Sequence, residues 1–370
     1  MLALAAAVVA GLLGRGACGL GHAATDTPGV TWPPLADLSA RLRSELPSIP
    51  LPDASHTNAE AYTRTLAPWV LAPEEPGVVP APETPILKTN LYPGAAGYLR
   101  IGTIAGPLRP ALRAAMLELR QTGPLYGLIV DLRFAGGSDL GAGIEAASEF
   151  AAPRRSVDFQ LGDTHWTARH EAGNDAFPIL VLVNRQTRQA AEAFAAALRA
   201  VAAKPLVLGS PTAGQARRYR PVSVSDSLVL QVAAESLRLP DGAEFPTSGL
   251  EPNLKLQVPE SDERAYAIDE YRRVVGGRAR VSSGPGRLNE AELVRRRRLP
   301  RSPFEDAHEG HATSRRDAIR GGGAEEGTSL EAAPRSVQDP ALALALDLIA
   351  GAAEDGTVSS PDAVPPGDSR

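Results

Sequence analysis

Gly127-Leu128-Ile129-Val130-Asp131-Leu132-Arg133-Phe134-Ala135-Gly136-Gly137 is the stretch that decides how this chain folds. Together with Tyr126 it opens on an apolar run, Tyr126 to Leu132, broken only at Asp131. A strand with one wet face alternates apolar and polar residues. A run that is apolar at both parities is buried on both faces, as in the interior of a parallel sheet. The Gly136-Gly137 pair then marks a tight turn, because glycine alone reaches positive φ without steric cost.

The pattern extends outward on both sides. Before it, Tyr98 to Ile104 reads as a strand. Leu108, Leu112, Met116 and Leu119 recur at helical spacing until Gly123 stops them. After it, a helix covers Leu140 to Phe150. The unit then repeats. Pro178 to Val183 is a second doubly buried strand, and Asn184 has the side chain of an N-cap. Ala190, Ala191, Phe194, Ala197, Leu198 and Val201 share one helical face, and further strands follow at Pro205 to Leu208 and Leu228 to Ala233. Strand and helix alternating in this way predict an α/β layered domain.

The flanks differ in composition. Of 370 residues, 35 are Gly and 33 are Pro, so part of the chain is expected to be irregular. Residues 26–96 read as a proline-rich helical lead-in to the main domain, 97–258. Residues 259–337 read as a largely disordered insertion, rich in Arg, Gly and Ser over 275–335. Within 338–352, Asp339-Pro340 opens a docking helix striped by Leu342, Leu346 and Ile349, and 353–370 read as a disordered tail. The apolar run Leu2 to Leu13 is shorter than the roughly 20 residues that span a bilayer. It suits a signal peptide over residues 1–24, which implies an exported protein of the periplasm or cell envelope. The alternative is a hydrophobic N-terminal helix in a cytoplasmic protein, and membrane attachment is expected only if that segment stays uncleaved.

A net charge of −5 argues against a nucleic-acid binder. The run Arg295 to Arg298 reads as a solvated cluster. Cys18 is the single cysteine, which excludes an intramolecular disulfide and a Cys-rich zinc site. His165 and His170, with Asp163 and Glu171, have neither metal-binding spacing nor an evident third ligand. No metal and no cofactor is expected.

Several segments, in order, resemble the peptidase domain of the tail-specific, or C-terminal processing, serine peptidases. They are Gly97 to Ile101, the Asp131-Leu132-Arg133 strand with its glycine turn, and Pro178 to Asn184 leading into a helix. Val207 to Gly214, Leu239-Pro240-Asp241-Gly242 with Gly249 to Asn253, and Asp339 to Leu342 complete the series. The resemblance implies a crotonase/Clp-like α/β spiral of strand-strand-helix units and a site of nucleophilic serine, general-base lysine and oxyanion-binding amides. It assigns the nucleophile to Gln189, the lysine to Gln215 and the lysine-orienting residue to Tyr219. It places the oxyanion site at Gly136, Gly137 and Ala190, although the glycines serve a tight turn equally well. Asn253 stands where the family often has an acid, and Ala135 where it has a turn asparagine. No PDZ domain, with its carboxylate-binding glycine loop, is visible.

A carboxamide is neither nucleophile nor base near neutral pH, and loss of such a unit leaves residual rates down by about 10⁶. Nearby substitutes are poor. Thr187 lies two residues from Gln189, roughly 200° around a helix. Lys204 and Gln215 flank opposite ends of one strand, which at about 3.3 Å per residue sets them more than roughly 10 Å apart. Lys88 and Lys255 are the only other lysines. Glu192 reads as an acid complementing a helix dipole. The sequence therefore implies a non-catalytic homologue that binds an extended peptide or protein partner in the old cleft. The alternative is an active serine-type peptidase with a rearranged catalytic set. Either way, Gln189, Gln215 and Gly137 are expected to converge in one cleft.

Overall fold

In the computed structural model β4 (Gly127–Asp131) lies inside a seven-stranded sheet, and the doubly apolar stretch quoted above explains its place there. The structure describes residues 35–45, 66–71, 84–171, 177–225, 228–273, 280–282 and 336–354. Across the sheet the order runs β12 (Arg280–Ser282), β11 (Leu254–Gln257), β8 (Pro205–Gly209), β7 (Ile179–Val183), β4, β3 (Ala96–Ile101) and β2 (Ile86–Tyr92). The five inner strands run parallel, and β2 and β12 close the two edges antiparallel.

Alternate residues of the inner strands feed two cores. Leu128, Val130, Ile179, Val181, Val183 and Val207 face one way. They pack under α2 (Leu108–Thr122), α3 (Leu140–Ala146, continued by a 3₁₀ turn Ala147–Phe150) and α4 (Ala190–Val201). Ile129, Leu180, Leu182, Leu208 and Leu256 face the other way, against Tyr266 of α5 (Glu260–Ile268) and Leu342, Ala345 and Ile349 of α6 (Pro340–Glu354). Each fully buried aliphatic side chain contributes about 1.5–3 kcal/mol. The α/β class expected from strand-helix alternation is the class observed.

The Asp131-Leu132-Arg133 motif fastens the second layer. Arg133 Nε and Nη2 donate to Asp131 at 2.9 and 2.6 Å, and Nη1 donates to Asp339 Oδ1 at 3.1 Å. Asp339 also caps α6 by accepting from the Ala341 amide at 3.0 Å. Tyr98 Oη donates to Asp131 Oδ2, the oxygen that also accepts from Arg133 Nη2, at 2.8 Å. One buried guanidinium thus bridges two buried carboxylates, and α6 is held to the end of β4.

A second, three-stranded antiparallel sheet comprises β1 (Val70–Leu71), β10 (Leu228–Ser236) and β9 (Arg217–Ser225), in that order. β5 (Ser156–Leu161) and β6 (Thr164–Arg169) form a separate hairpin. α1 (Leu35–Glu45) lies in the lead-in.

The insertion expected from residue 259 is not irregular at its start, because Glu260–Ile268 is α5. Three acids fill its first turn, where the helix dipole favours them, and Tyr266 anchors it in the second core. The expected strand Tyr98 to Ile104 is instead Ala96–Ile101. The proposed signal peptide, the tail 355–370 and residues 283–335 lie outside the described residues. Among the described residues no helix is long and apolar enough to cross a membrane.

Candidate functional site

The site forms where the glycine turn after β4 meets the loop between β7 and α4. Asn184 is fully buried, and its Oδ1 accepts from the amides of Phe134 (3.2 Å) and Gln186 (3.0 Å). Asn184 therefore ties the two loops together and is not the expected helix cap. α4 begins at Ala190, and its N-cap is Gln189. Thr187 is buried as well. Its hydroxyl accepts from the Asn184 amide and donates to Leu132 O at 2.8 Å, so it braces the loop against β4.

Gln189 adopts φ 50° and ψ −119°. A side chain other than glycine is uncommon at positive φ and costs on the order of 1–3 kcal/mol there. A strained turn from strand to helix is how an α/β sheet presents a reactive side chain above its edge. Here the strained position carries a carboxamide.

Two of the three amides assigned to an oxyanion site, those of Ala190 and Gly136, are engaged within the protein. The Ala190 N–H donates to Gly137 O at 3.0 Å, and the Gly136 N–H donates to Gly102 O at 2.9 Å. In this conformation neither hydrogen faces an open anion site. Gly137 itself is conformationally required. It has φ 120°, and a Cβ there would lie 2.1 Å from Ile104 O.

Beneath the turn lies Glu192, fully buried. Its Oε1 accepts from the Thr212 hydroxyl (2.5 Å) and the Gly214 amide (2.6 Å). Its Oε2 accepts from the amides of Gln215 (2.6 Å) and Gln189 (3.0 Å). One carboxylate oxygen thus joins the positions assigned to nucleophile and lysine, and the backbones of Gln189 and Gln215 lie within a few ångströms of each other. Burial pushes the Glu192 carboxyl up to about 7, against the pull of those four donors. Glu192 is the centre of the site, a role that its sequence position, ordinary for an early helix acid, does not disclose. The one signal for it in the sequence was its match to the helix-facing acid of the family that the chain resembles.

Gln215 and Tyr219 turn outward, toward the lead-in. Gln215 Nε2 donates to Ala67 O at 2.8 Å, and Tyr219 Oη donates to Pro68 O at 2.9 Å. Burial raises the Tyr219 phenol well above its usual range, so it acts as a donor here. Between them in sequence, Arg217 is buried under the Trp69 ring, with its guanidinium carbon 4.2 Å from the ring centroid.

The remaining candidates lie elsewhere. Lys88 pairs with Glu270 at 2.5 Å on the sheet edge, Lys255 pairs with Glu251 at 2.8 Å, and Lys204 precedes β8 while Gln215 follows it. His165 and Asp163 lie on or beside the β5–β6 hairpin. His170 Nδ1 is 2.9 Å from Ala151 O, and Glu171 pairs with Arg109 and Arg113. Among the described residues no group of three or more His, Cys, Asp or Glu is arranged to hold a metal ion. Asn253 serves a structural end: its Oδ1 accepts from the Val207 amide at 2.9 Å. The Arg295 to Arg298 run lies outside the described residues.

Residues 95–256 match the model of peptidase family S41. A curated relative, the chloroplastic C-terminal processing peptidase of Tetradesmus obliquus, is 30% identical over 178 residues, which is 46% of this chain and 38% of that protein. Among solved structures, the photosystem II D1 C-terminal processing protease aligns at 27% identity and a TM-score of 0.39. That alignment covers 50% of this chain and 51% of that one. Mature CPAF aligns at 16% identity and a TM-score of 0.37, over 48% and 49% of the two chains. The chain therefore spans about half or less of the length of these relatives.

Proposed function

We propose, from the match of residues 95–256 to the model of peptidase family S41, that this chain is a non-catalytic homologue of the C-terminal processing peptidases. Its cleft holds an extended peptide or a partner protein without cutting it. Export to the cell envelope is part of the same reading, supported by the apolar run Leu2 to Leu13.

The observation that carries the proposal is the use made of Gln215. At the position assigned to the general base, its carboxamide donates to a main-chain carbonyl, Ala67 O, at 2.8 Å. A lysine there takes a proton from a nucleophile. A carboxamide cannot, yet it is well suited to grip a peptide group. Gln189, strained as a nucleophile would be, likewise has no group that attacks a carbonyl. Two further features support the reading: the Ala190 and Gly136 amides are committed to internal carbonyls, and Lys88 and Lys255 are paired with acids.

The test is turnover of unfolded protein and of peptides with varied C-termini by the purified chain and by Gln189→Ala. No cleavage by either is expected. Cleavage by the wild type that Gln189→Ala abolishes would overturn the proposal in favour of a peptidase with a rearranged catalytic set. Restoration of cleavage by Gln189→Ser with Gln215→Lys would show that the scaffold is intact and only disarmed.

A further inference from the structure

The segment Leu66–Leu71 touches the site at every step. Ala67 O and Pro68 O accept from Gln215 and Tyr219, as above. Trp69 O accepts from the Ala233 amide at 2.7 Å, and Val70 and Leu71 pair antiparallel with Val232 and Gln231 of β10. Leu66 and Val70 are buried to 0% and 1% exposure. The Trp69 ring lies on the Arg217 guanidinium, whose Nη2 donates to Phe245 O at 3.3 Å. Arg217 Nε and Nη1 are buried without a hydrogen-bond partner. A buried guanidinium so poorly satisfied depends on the aromatic face above it.

We propose that the β10 edge beside Gln215 and Tyr219 is a strand-addition site for peptide, filled in this chain by its own segment Leu66–Leu71, which an external segment of like chemistry displaces. The inference rests on the binding reading above and names its register. Two successive carbonyls go to Gln215 and Tyr219, an aromatic ring covers Arg217, and two aliphatic residues extend the sheet. Added strands gain affinity from main-chain hydrogen bonds and specificity from alternate side chains, and this segment supplies both. Its strand is only two residues long, so the clamp and the ring, not the ladder, hold it in place. Being tethered, the cis segment competes at an effective concentration in the millimolar range. A free peptide is therefore held off unless the cis segment is weakened.

The experiment uses the full chain and a fluorescein-labelled peptide of residues 65–72, followed by anisotropy. Trp69→Ser with Val70→Asp, which weakens the segment and leaves the side chains of Gln215, Arg217 and Tyr219 in place, is expected to bind the peptide at least about tenfold more tightly than the wild type. Adding Gln215→Ala and Tyr219→Phe to that variant is expected to erase the gain. Equal affinity of the first variant and the wild type, or a gain that survives loss of the clamp, overturns the proposal.

Should the segment variant fail to fold, amide exchange decides. Gln215→Ala with Tyr219→Phe in the otherwise native chain is expected to speed exchange of the Ala233 amide at least about tenfold as its Trp69 partner loosens. Unchanged exchange there overturns the clamp. The mass of the peptide after incubation separates the two readings, since cleavage sinks the non-catalytic proposal yet leaves the displacement result standing.

Discussion

Glu192 holds the two carboxamide positions together through one buried carboxylate, and its behaviour with pH follows from its surroundings. Burial favours the neutral acid, while the donors from Thr212, Gly214, Gln215 and Gln189 favour the anion. The balance lies at about 7, above the ordinary 4.5. Below pH 4.5 this carboxyl is protonated whether the chain is folded or not. Between 4.5 and about 7 the unfolded chain releases the proton that the folded chain retains, so this group's contribution to stability falls as pH rises. Glu192→Gln removes that titration and turns an NH₂ toward N–H donors, at a cost of about 1–3 kcal/mol. In urea denaturation the variant should be the weaker protein at pH 5, and the gap should narrow toward pH 7.5. A gap that stays the same over this range would mean that the four donors outweigh burial and that the anion is the resting form.

At the scale of elements, α6 is latched by charge as well as by its apolar stripe. Arg133 lies between Asp131 and Asp339, all three at 5% exposure or less, so removing the guanidinium strands both carboxylates. Arg133→Met should cost about 3–5 kcal/mol by leaving two buried carboxylates together. Asp339→Asn keeps an oxygen for the Ala341 amide and should cost less than Asp339→Ala, which loses the cap as well. Chemical denaturation of the three variants checks the order. If Asp339→Asn and Asp339→Ala cost the same, the cap contributes nothing.

Such elements differed in how far the sequence disclosed them. β4 and β7 were legible because a strand buried on both faces must be apolar at both parities. β2 and β9 were not. Ile86 to Tyr92 mixes Lys, Thr and Asn into an edge strand, and β9 holds three arginines and Pro221 in a sheet with one wet side. α5 was missed because few apolar residues anchor it. At the site, the family resemblance, in register from Asn184 and from the Thr212 turn, assigned Gln189 and Gln215. Their contacts were hidden, since Ala67 is 148 residues from Gln215 and no local pattern encodes such a pairing.

At the scale of the molecule, one sheet serves two cores, and β4 carries both. Leu128 and Ile129 are neighbours in sequence, each with no exposed surface, yet Leu128 packs under the α2–α4 layer and Ile129 under α5 and α6. Truncating either to alanine should cost about 2–5 kcal/mol, a large share of the roughly 5–15 kcal/mol that holds a domain folded. What the pair distinguishes is cooperativity. The Arg133–Asp339 link joins the α6 layer to the strand that also supports the first core, and Ile349 fills the space over Gly127 at the start of that strand. Neither layer can leave without uncovering β4 for the other. Both Leu128→Ala and Ile129→Ala should therefore lower the denaturation midpoint of one transition, with circular dichroism and tryptophan emission coincident. An early transition that appears only in Ile129→Ala would show that the α5–α6 layer melts by itself. The latch would then be a local fastening, and the site beside α4 would stand on the first core alone.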